Sequence, residues 1–419
     1  MIELEQALDL IARQARRLPP RRVRLAEAAG RVLVEPVVAD VASPPWDRAM
    51  MDGFAIRSSD MPADGTAEFD VVADLAAGDV FGTSIRPGSC ARIMTGAPVP
   101  PGTDAVVPIE CAIDGTARVH SGGRVRLRDD RFRAGQHVAL EGVAFRAGAP
   151  VLPAGTRLGA AAIGLAAEAG ATHVVVVPRP RVAILSTGSE LVPPETVPSH
   201  GQTRNSNAPM IAAAVASLGA EPVALGSVVD RPEPLRAAVA QGLAADMLLL
   251  SGGVSAGDYD LVPDTLLRSG VAKIFHKVRL KPGKPVWFGV FERPDGGGRC
   301  LVFGLPGNPA SSLVCFELFV RPALAALLEW PQERRHLPRV AARLGDAAKG
   351  AEDRPVFAPC RLERRGDGLV AWPLAWTGSS DLVGLAVADG LMALPAGTRR
   401  AEAGTSIEVV RFTDAAEPR

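Results

Sequence analysis

RVAILSTGSE (Arg181–Glu190) decides the fold, read together with EPVALGSVV (Glu221–Val229) and DMLLLSGG (Asp246–Gly253). RVAILST and DMLLLS are short apolar runs bounded by turn residues, the pattern of strands buried on both faces. Between the three segments lie two helical stretches. NAPMIAAAVASLG is capped near Asn207, and RPEPLRAAVAQGL has Asp230 at its cap position. Further on, LVPDTLLRSG predicts a helix and KIFHKVRL a strand. PVWFGVFE and RCLVFGLP predict two strands joined through the turn PDGGG, and a long helix runs from about Asn308 to Glu329. Strand–helix alternation at this spacing predicts a doubly wound, mostly parallel α/β domain with both sheet faces covered.

Outward from that domain the pattern changes. Toward the N-terminus, PRP (Pro178–Pro180) is a stiff joint, preceded by the strand THVVVV and an Ala-rich helix from Leu158 to Gly170. Residues 43–133 are Gly/Pro-punctuated with short apolar runs, which predicts a mostly β region with long loops. Val23 to Asp40 mixes a short helix with the β-prone VLVEPVV. The chain begins with an amphipathic helix carrying Leu4, Leu8, Ile11, Ala15 and Leu18 on one face, and its packing partner is expected in a distant part of the chain. After Pro331 the helical period gives way to β-like runs, a separate β domain.

A chain of 419 residues, 47% hydrophobic, suffices for several cores. Its 46 basic and 46 acidic residues cancel, which argues against a polyanion-binding face and hence against nucleic acid. No signal-peptide core and no membrane-spanning stretch is read from the sequence, so a cytoplasmic location is expected. The five cysteines lie far apart with no C-x-x-C pair, and the six histidines form no H-E-x-x-H, which predicts separate thiols rather than a zinc or disulfide framework.

In open parallel sheets ligands sit beyond the carboxyl ends of the strands. Four such ends carry unusual loops. Gly188-Ser189-Glu190 offers a carboxylate for a metal or water, or else a helix cap. SGGVSAGDYD offers Gly252, Gly253 and Gly257 for an anion nest with N–H groups turned inward, and Asp258 and Asp260 for Mg²⁺, or else a plain glycine turn. KVRLKPGKP places Lys277, Lys281 and Lys284 about a rigid turn. Only five lysines exist in the chain and four lie between Lys273 and Lys284, which points to a compact anion pocket, or else a solvated edge strand. FGLPGNPAS puts Pro309 in a first helical turn whose N-terminus would face an anion, or else forms a structural elbow. Two earlier loops present Asp47 with Asp52, and Thr95 with Glu110.

MDGFA, RIMTGAPVPPGTDAVVP, AILSTGSEL, SGGVSAGDYD, KVRLKPGKP and FGLPGNPASS occur in that order, and GSSDLVGLAVADGLMALP follows late in the chain. Together they resemble, almost end to end, the molybdopterin molybdenumtransferase (molybdenum insertase) family. The resemblance implies a multidomain α/β plus β protein: an α/β molybdopterin-binding domain from residues 1–22 and 178–329, a small linking domain from 23–42 and 137–177, a mostly β insertion domain at 43–136, and a C-terminal β-barrel-like domain at 330–419. It implies insertion of molybdenum from molybdate into adenylylated molybdopterin with release of AMP, assisted by Mg²⁺. Carried over by motif, the catalytic residues are Asp52, Thr95, Glu190, Asp230, Asp260, Lys277 and Lys281, with Glu190, Asp230 and Asp260 as metal ligands. Ser251, Gly252, Gly253, Ser255, Gly257, Asp258, Lys284, Pro306, Gly307, Asn308, Pro309 and Ser379 are the implied binding residues. The resemblance further implies an elongated homodimer, with transient contacts to the adenylyltransferase and to recipient molybdoenzymes.

The chain departs from the family pattern at Ser189 and His137, where acids are common, and at Arg48, Ala49 and Met50 before MDGFA. The departures leave two other readings: a paralogue with molybdopterin adenylyltransferase activity, or a non-catalytic cofactor-binding scaffold.

Overall fold

The computed structural model describes residues 1–254, 261–294, 296–366 and 368–412. It divides into two compact units, one of Met1–Arg21 with Val177–Arg419, the other of Arg22–Val176.

In the first unit a six-stranded sheet runs in the order Glu221–Val228, Arg181–Thr187, Met247–Ser251, Arg299–Leu305, Trp287–Glu292, Ala272–His276. The first four strands pair in parallel; Trp287–Glu292 pairs antiparallel with both its neighbours. Alternate residues go to opposite faces. Val182, Ile184, Leu249, Leu301 and Phe303 enter one core with helices α1 (Leu4–Gln14), α3 (Asn207–Ser217), α6 (Pro309–Cys315) and α7 (Arg321–Leu327). Ala183, Leu185, Leu248, Leu250 and Val302 enter the other with α4 (Pro232–Gly242) and α5 (Leu261–Arg268). With both faces covered, the sheet has polar openings only at its strand ends. The N-terminal helix α1 finds its partner in α7, some three hundred residues away, through Leu4, Ala7 and Ile11.

The C-terminal β domain is a closed five-stranded barrel, Arg339–Leu344, Gly368–Pro373, Val356–Arg365, Gly390–Leu394 and Ser406–Arg411. Phe357, Leu391 and Val410 of that barrel pack into the α/β core itself. The second unit holds a five-stranded sheet from Gly53–Ile56, Thr66–Leu75, Ser89–Ile93, Ala105–Pro108 and Arg124–Arg128, together with helix α2 (Ala160–Glu168) and short paired strands.

Four local expectations are corrected. Asp230 is not the cap of α4: Arg231 holds that position without a side-chain cap bond. Pro232 supplies the first-turn geometry there and has no N–H to satisfy. The strand expected through Leu280 ends at His276, because Lys277 takes a left-handed backbone with φ 72° and turns the chain out of the sheet. The long helix from Asn308 contains a π turn at Phe316–Val320 just before Pro322, whose ring and missing N–H disrupt regular i→i−4 bonding. Its 19-residue run Pro309–Leu327 is long and apolar enough to cross a bilayer, contrary to the expectation that no stretch is, but its most apolar window is 94% buried in the protein.

Phe303 is fully buried and its ring centroid lies 4.6 Å from that of Phe288. Phe303→Ala is expected to destabilise the α/β unit by about 3–5 kcal/mol. The shift of the urea midpoint at unchanged m measures this; a loss below about 1 kcal/mol would contradict the packing described.

Candidate functional site

Ser186, Ser251 and Leu305 lie in register at the carboxyl ends of three parallel strands. The loops that leave these ends wall a cavity of about 590 Å³ lined by Glu190, Asp230, Asn205, Asn207, Gly252 and Asn308 among others. Its floor is a buried polar network. The Ser186 and Ser251 hydroxyls lie 3.1 Å apart, and Ser186 Oγ donates to Asn205 Oδ1 at 3.3 Å. Asn205 Oδ1 also accepts the Ala208 N–H at 3.1 Å, so Asn205, rather than Asn207, satisfies the start of α3. Asn207 instead donates Nδ2–H to the Gly307 carbonyl at 2.8 Å, tying α3 to the Pro306–Pro309 elbow. Its Oδ1 and the Thr187 Oγ1 are buried without a hydrogen-bond partner among the described residues.

Glu190 and Asp230 therefore share one cavity. Glu190 curls over Gly188, where an added Cβ would stand 2.7 Å from its carboxylate oxygens. Ser189, one of the departures, accepts the Asp230 backbone N–H on its hydroxyl at 3.3 Å, so it braces the neighbouring acid. Gly252 has φ 98°, and a Cβ there would lie 2.4 Å from the Thr187 carbonyl oxygen. Its N–H donates to Leu305, however, so Gly252 serves close strand packing and is not the inward-facing donor expected of a nest. Ser255, Gly257, Asp258 and Asp260 lie outside the described residues.

Beyond the elbow lies a second cavity of about 560 Å³, lined by Lys281, Lys284, Pro306, Asn308, Lys349, Arg354, Trp376 and Ser379 among others. Asn308 lines both cavities. Lys281, Lys284 and Lys349 have no ion-pair partner among the described residues, whereas Arg354 pairs with the exposed Asp353. Arg354 and, more weakly, Lys284 hold the Asp353 carboxyl below its ordinary range. The backbone of Lys281 is pinned to the barrel: its N–H donates to the Pro355 carbonyl at 2.9 Å, and its carbonyl accepts from Phe357 N–H at 2.7 Å. Lys277 lines neither cavity.

The start of α6 does not stand open to an anion as the sequence suggested. The Ser379 carbonyl accepts from the Ala310 and Ser311 N–H groups at 3.0 and 3.3 Å, and the Ser379 hydroxyl accepts from Asn308 Nδ2 at 2.7 Å. The reason is tertiary: the barrel loop bearing Ser379 folds onto the elbow and fills that place.

Sequence reasoning passed over Asn205, Lys349, Arg354 and Trp376. Lys349 had a usable signal, since it is the fifth lysine of a chain that otherwise uses arginine, and the other lysines had already marked the anion pocket. A larger cavity, about 790 Å³, opens by the loop entering the Met247–Ser251 strand, with Arg236, Arg268 and Arg293 over Ala237, Ala240 and Phe291. It contains none of the motif residues.

In the other unit, Asp52 and Thr95 are brought together from two separate loops. Asp52 Oδ1 accepts from the Thr95 N–H and from its hydroxyl, both at 2.7 Å. These two bonds, with a smaller contribution from the Arg92 charge, hold the Asp52 carboxyl below its ordinary range. Asp47 Oδ1 accepts the Glu141 N–H at 2.7 Å. His137 has φ 56° and its carbonyl accepts the Met50 N–H at 2.8 Å. His is among the residues that tolerate that left-handed conformation.

Known proteins match along the whole chain. Residues 2–170 match the MoeA N-terminal region (domain I and II), residues 183–326 a probable molybdopterin binding domain, and residues 341–412 the MoeA C-terminal region (domain IV). A molybdopterin molybdenumtransferase of Nostoc sp. is 35% identical, with 93% of this chain and 88% of its own aligned. Molybdopterin molybdenumtransferase 2 of Mycobacterium tuberculosis is 34% identical over 99% of this chain and all of its own. The solved molybdopterin biosynthesis moea protein from Pyrococcus horikosii superposes with a TM-score of 0.79 over 99% of both chains, at 28% identity.

Because Thr95 lowers the Asp52 pKa, the stabilisation that pair supplies is present above the unfolded-state value and is lost as pH falls through the folded one. Thr95→Val removes the hydroxyl donor and is expected to move the Asp52 titration upward toward the ordinary carboxylate range. Carboxyl ¹³C NMR across the acid range reads it; an unmoved Asp52 would refute the assignment.

Proposed function

Since the chain belongs to the molybdopterin molybdenumtransferase family, transferases of molybdenum cofactor biosynthesis, we propose that it inserts molybdenum from molybdate into adenylylated molybdopterin and releases AMP. One observation carries this reading: a cavity that holds Glu190 and Asp230, with Arg204 also in its wall, and a basic cavity share Asn308 of the Pro306–Pro309 elbow. A substrate with a pyrophosphate and a second, tetrahedral dianion needs two such places.

In this reading the cavity of Glu190 and Asp230 takes the pyrophosphate, and the cavity of Lys281, Lys284 and Lys349 takes molybdate. Two carboxylates in one polar cavity fit Mg²⁺, which is commonly bound by one or two carboxylates together with substrate phosphates. When bound, the ion neutralises charge on the phosphate oxygens. Asp260, the third proposed ligand, lies outside the described residues. Glu190 and Asp230 also orient the water that attacks the adenylyl phosphorus, so that the pyrophosphate bond breaks and AMP leaves. The three lysines and Arg354 concentrate molybdate beside the dithiolene. Asp52, Thr95 and Lys277 belong to the same reaction, as do the binding residues beyond these cavities. The protein is proposed to act as a cytoplasmic homodimer, with transient contacts to the adenylyltransferase and to recipient enzymes.

The direct test supplies adenylylated molybdopterin, molybdate and Mg²⁺ and follows AMP. Glu190→Gln is expected to lower turnover about 10²-fold or more, and chelation to stop it. Undiminished AMP release in excess chelator would reject the metal. Consumption of ATP with unmodified molybdopterin would point to adenylyltransferase activity, and no turnover with either substrate to a cofactor-binding scaffold.

Lys281→Arg should be nearly as damaging as Lys281→Ala, because a planar fork cannot replace a compact ammonium in a confined pocket. A fully active arginine variant would show that only positive charge matters at that position.

A further inference from the structure

Gly283 sits midway in the turn that carries Lys281 and Lys284, and it rests on the sulfur of Cys315. Its φ is 108°, and an added Cβ would lie 2.4 Å from Cys315 Sγ and 3.4 Å from Leu280 Cδ1. Cys315 Sγ lies 3.5 Å from the Gly283 carbonyl oxygen, toward which its S–H donates. The thiol is fully buried in α6, and burial pushes its pKa far above the ordinary value, so it is a neutral donor and not a nucleophile.

The two lysines are held from outside this contact. Lys281 is fixed by its bonds to Pro355 and Phe357, and the Lys284 carbonyl accepts the Val278 N–H at 3.0 Å. Between those two anchors the Gly283 carbonyl accepts the Val286 N–H at 3.2 Å, and what lies under Gly283 limits how far the turn can move. On one side that is Leu280, fully buried; on the other it is Cys315, with the Ser311 carbonyl 3.7 Å from the same point. Close-packed interiors transmit a volume change of one atom to the backbone resting on it.

We propose that Cys315 is a positioning residue which, through Gly283, sets the separation of the Lys281 and Lys284 ammonium groups and thereby the size of tetrahedral oxyanion the basic cavity prefers. The proposal rests on the assignment of that cavity to molybdate. Molybdate and sulfate carry the same charge and shape but differ in bond length, so spacing of the cations rather than their number discriminates between them.

The test measures binding of molybdate and of sulfate, each alone, by calorimetry, with molybdate KM and kcat determined in parallel. Wild type, Cys315→Ser, Cys315→Ala, Cys315→Val and Lys281→Ala are compared. Serine keeps a donor of similar size and is expected to stay within about threefold of wild type. Alanine leaves a void under the turn and valine pushes it outward. Both are expected to weaken molybdate binding about tenfold and raise KM in step, with kcat at saturation nearly unchanged and the preference over sulfate reduced. Thermal unfolding verifies that the variants fold, and the alanine and serine variants decide the matter if valine does not. If wild type binds molybdate, Lys281→Ala does not, and the alanine variant keeps both affinity and preference, Cys315 has no positioning role. If kcat falls while KM and the preference stay unchanged, the contact is merely structural and the proposal is equally overturned. If wild type itself binds no molybdate, or Lys281→Ala binds it as well, the molybdate assignment fails instead.

Discussion

Two hydrogen bonds join the backbone of Lys281 to Pro355 and Phe357, and the basic cavity depends on them. They fasten a loop of the α/β core to a strand of the barrel, and neither element alone encloses the space. Lys281 and Lys284 come from one side of this seam, Lys349, Arg354 and Ser379 from the other. Without the seam the cations would be ordinary solvated side chains, whose long-range attraction for an anion is weak and screened by salt. The seam instead brings them into the wall of one cavity.

The sheet imposes the second constraint. Its central strands are buried on both faces, so polar chemistry is confined to the strand ends, and the carboxyl ends carry a polar floor. Ser186, Ser251 and Asn205 satisfy one another there at almost no exposure, as buried polar groups must. Asn207 then reaches the Gly307 carbonyl, and Asn308 reaches Ser379. This run of side chains fixes the elbow that keeps the acidic residues Glu190 and Asp230 apart from the lysines.

The departures from the family pattern look different in three dimensions. As letters, Ser189 and His137 are lost charges. In the fold, Ser189 Oγ braces the Asp230 backbone, and His137 occupies a left-handed position that its ring tolerates as an aspartate would.

The sequence alone determined most of the strands and helices of the core, the mostly parallel sheet, and the ordered motifs that carry the family. Those properties are local: a buried strand needs a short apolar run, and a ligand loop needs glycine, proline and a few polar groups within ten residues. Only the tertiary structure decided which loops share a cavity. Lys349 and Arg354 are far from the other cations in sequence and have no motif of their own, and the filling of the α6 N-terminus by the Ser379 carbonyl depends on a loop seventy residues downstream. Asp52 and Thr95 were each legible as turn residues, but their mutual bonds required two loops to meet. Such pairings arise when the chain closes on itself, and no residue's neighbours in sequence carry the geometry that decides them.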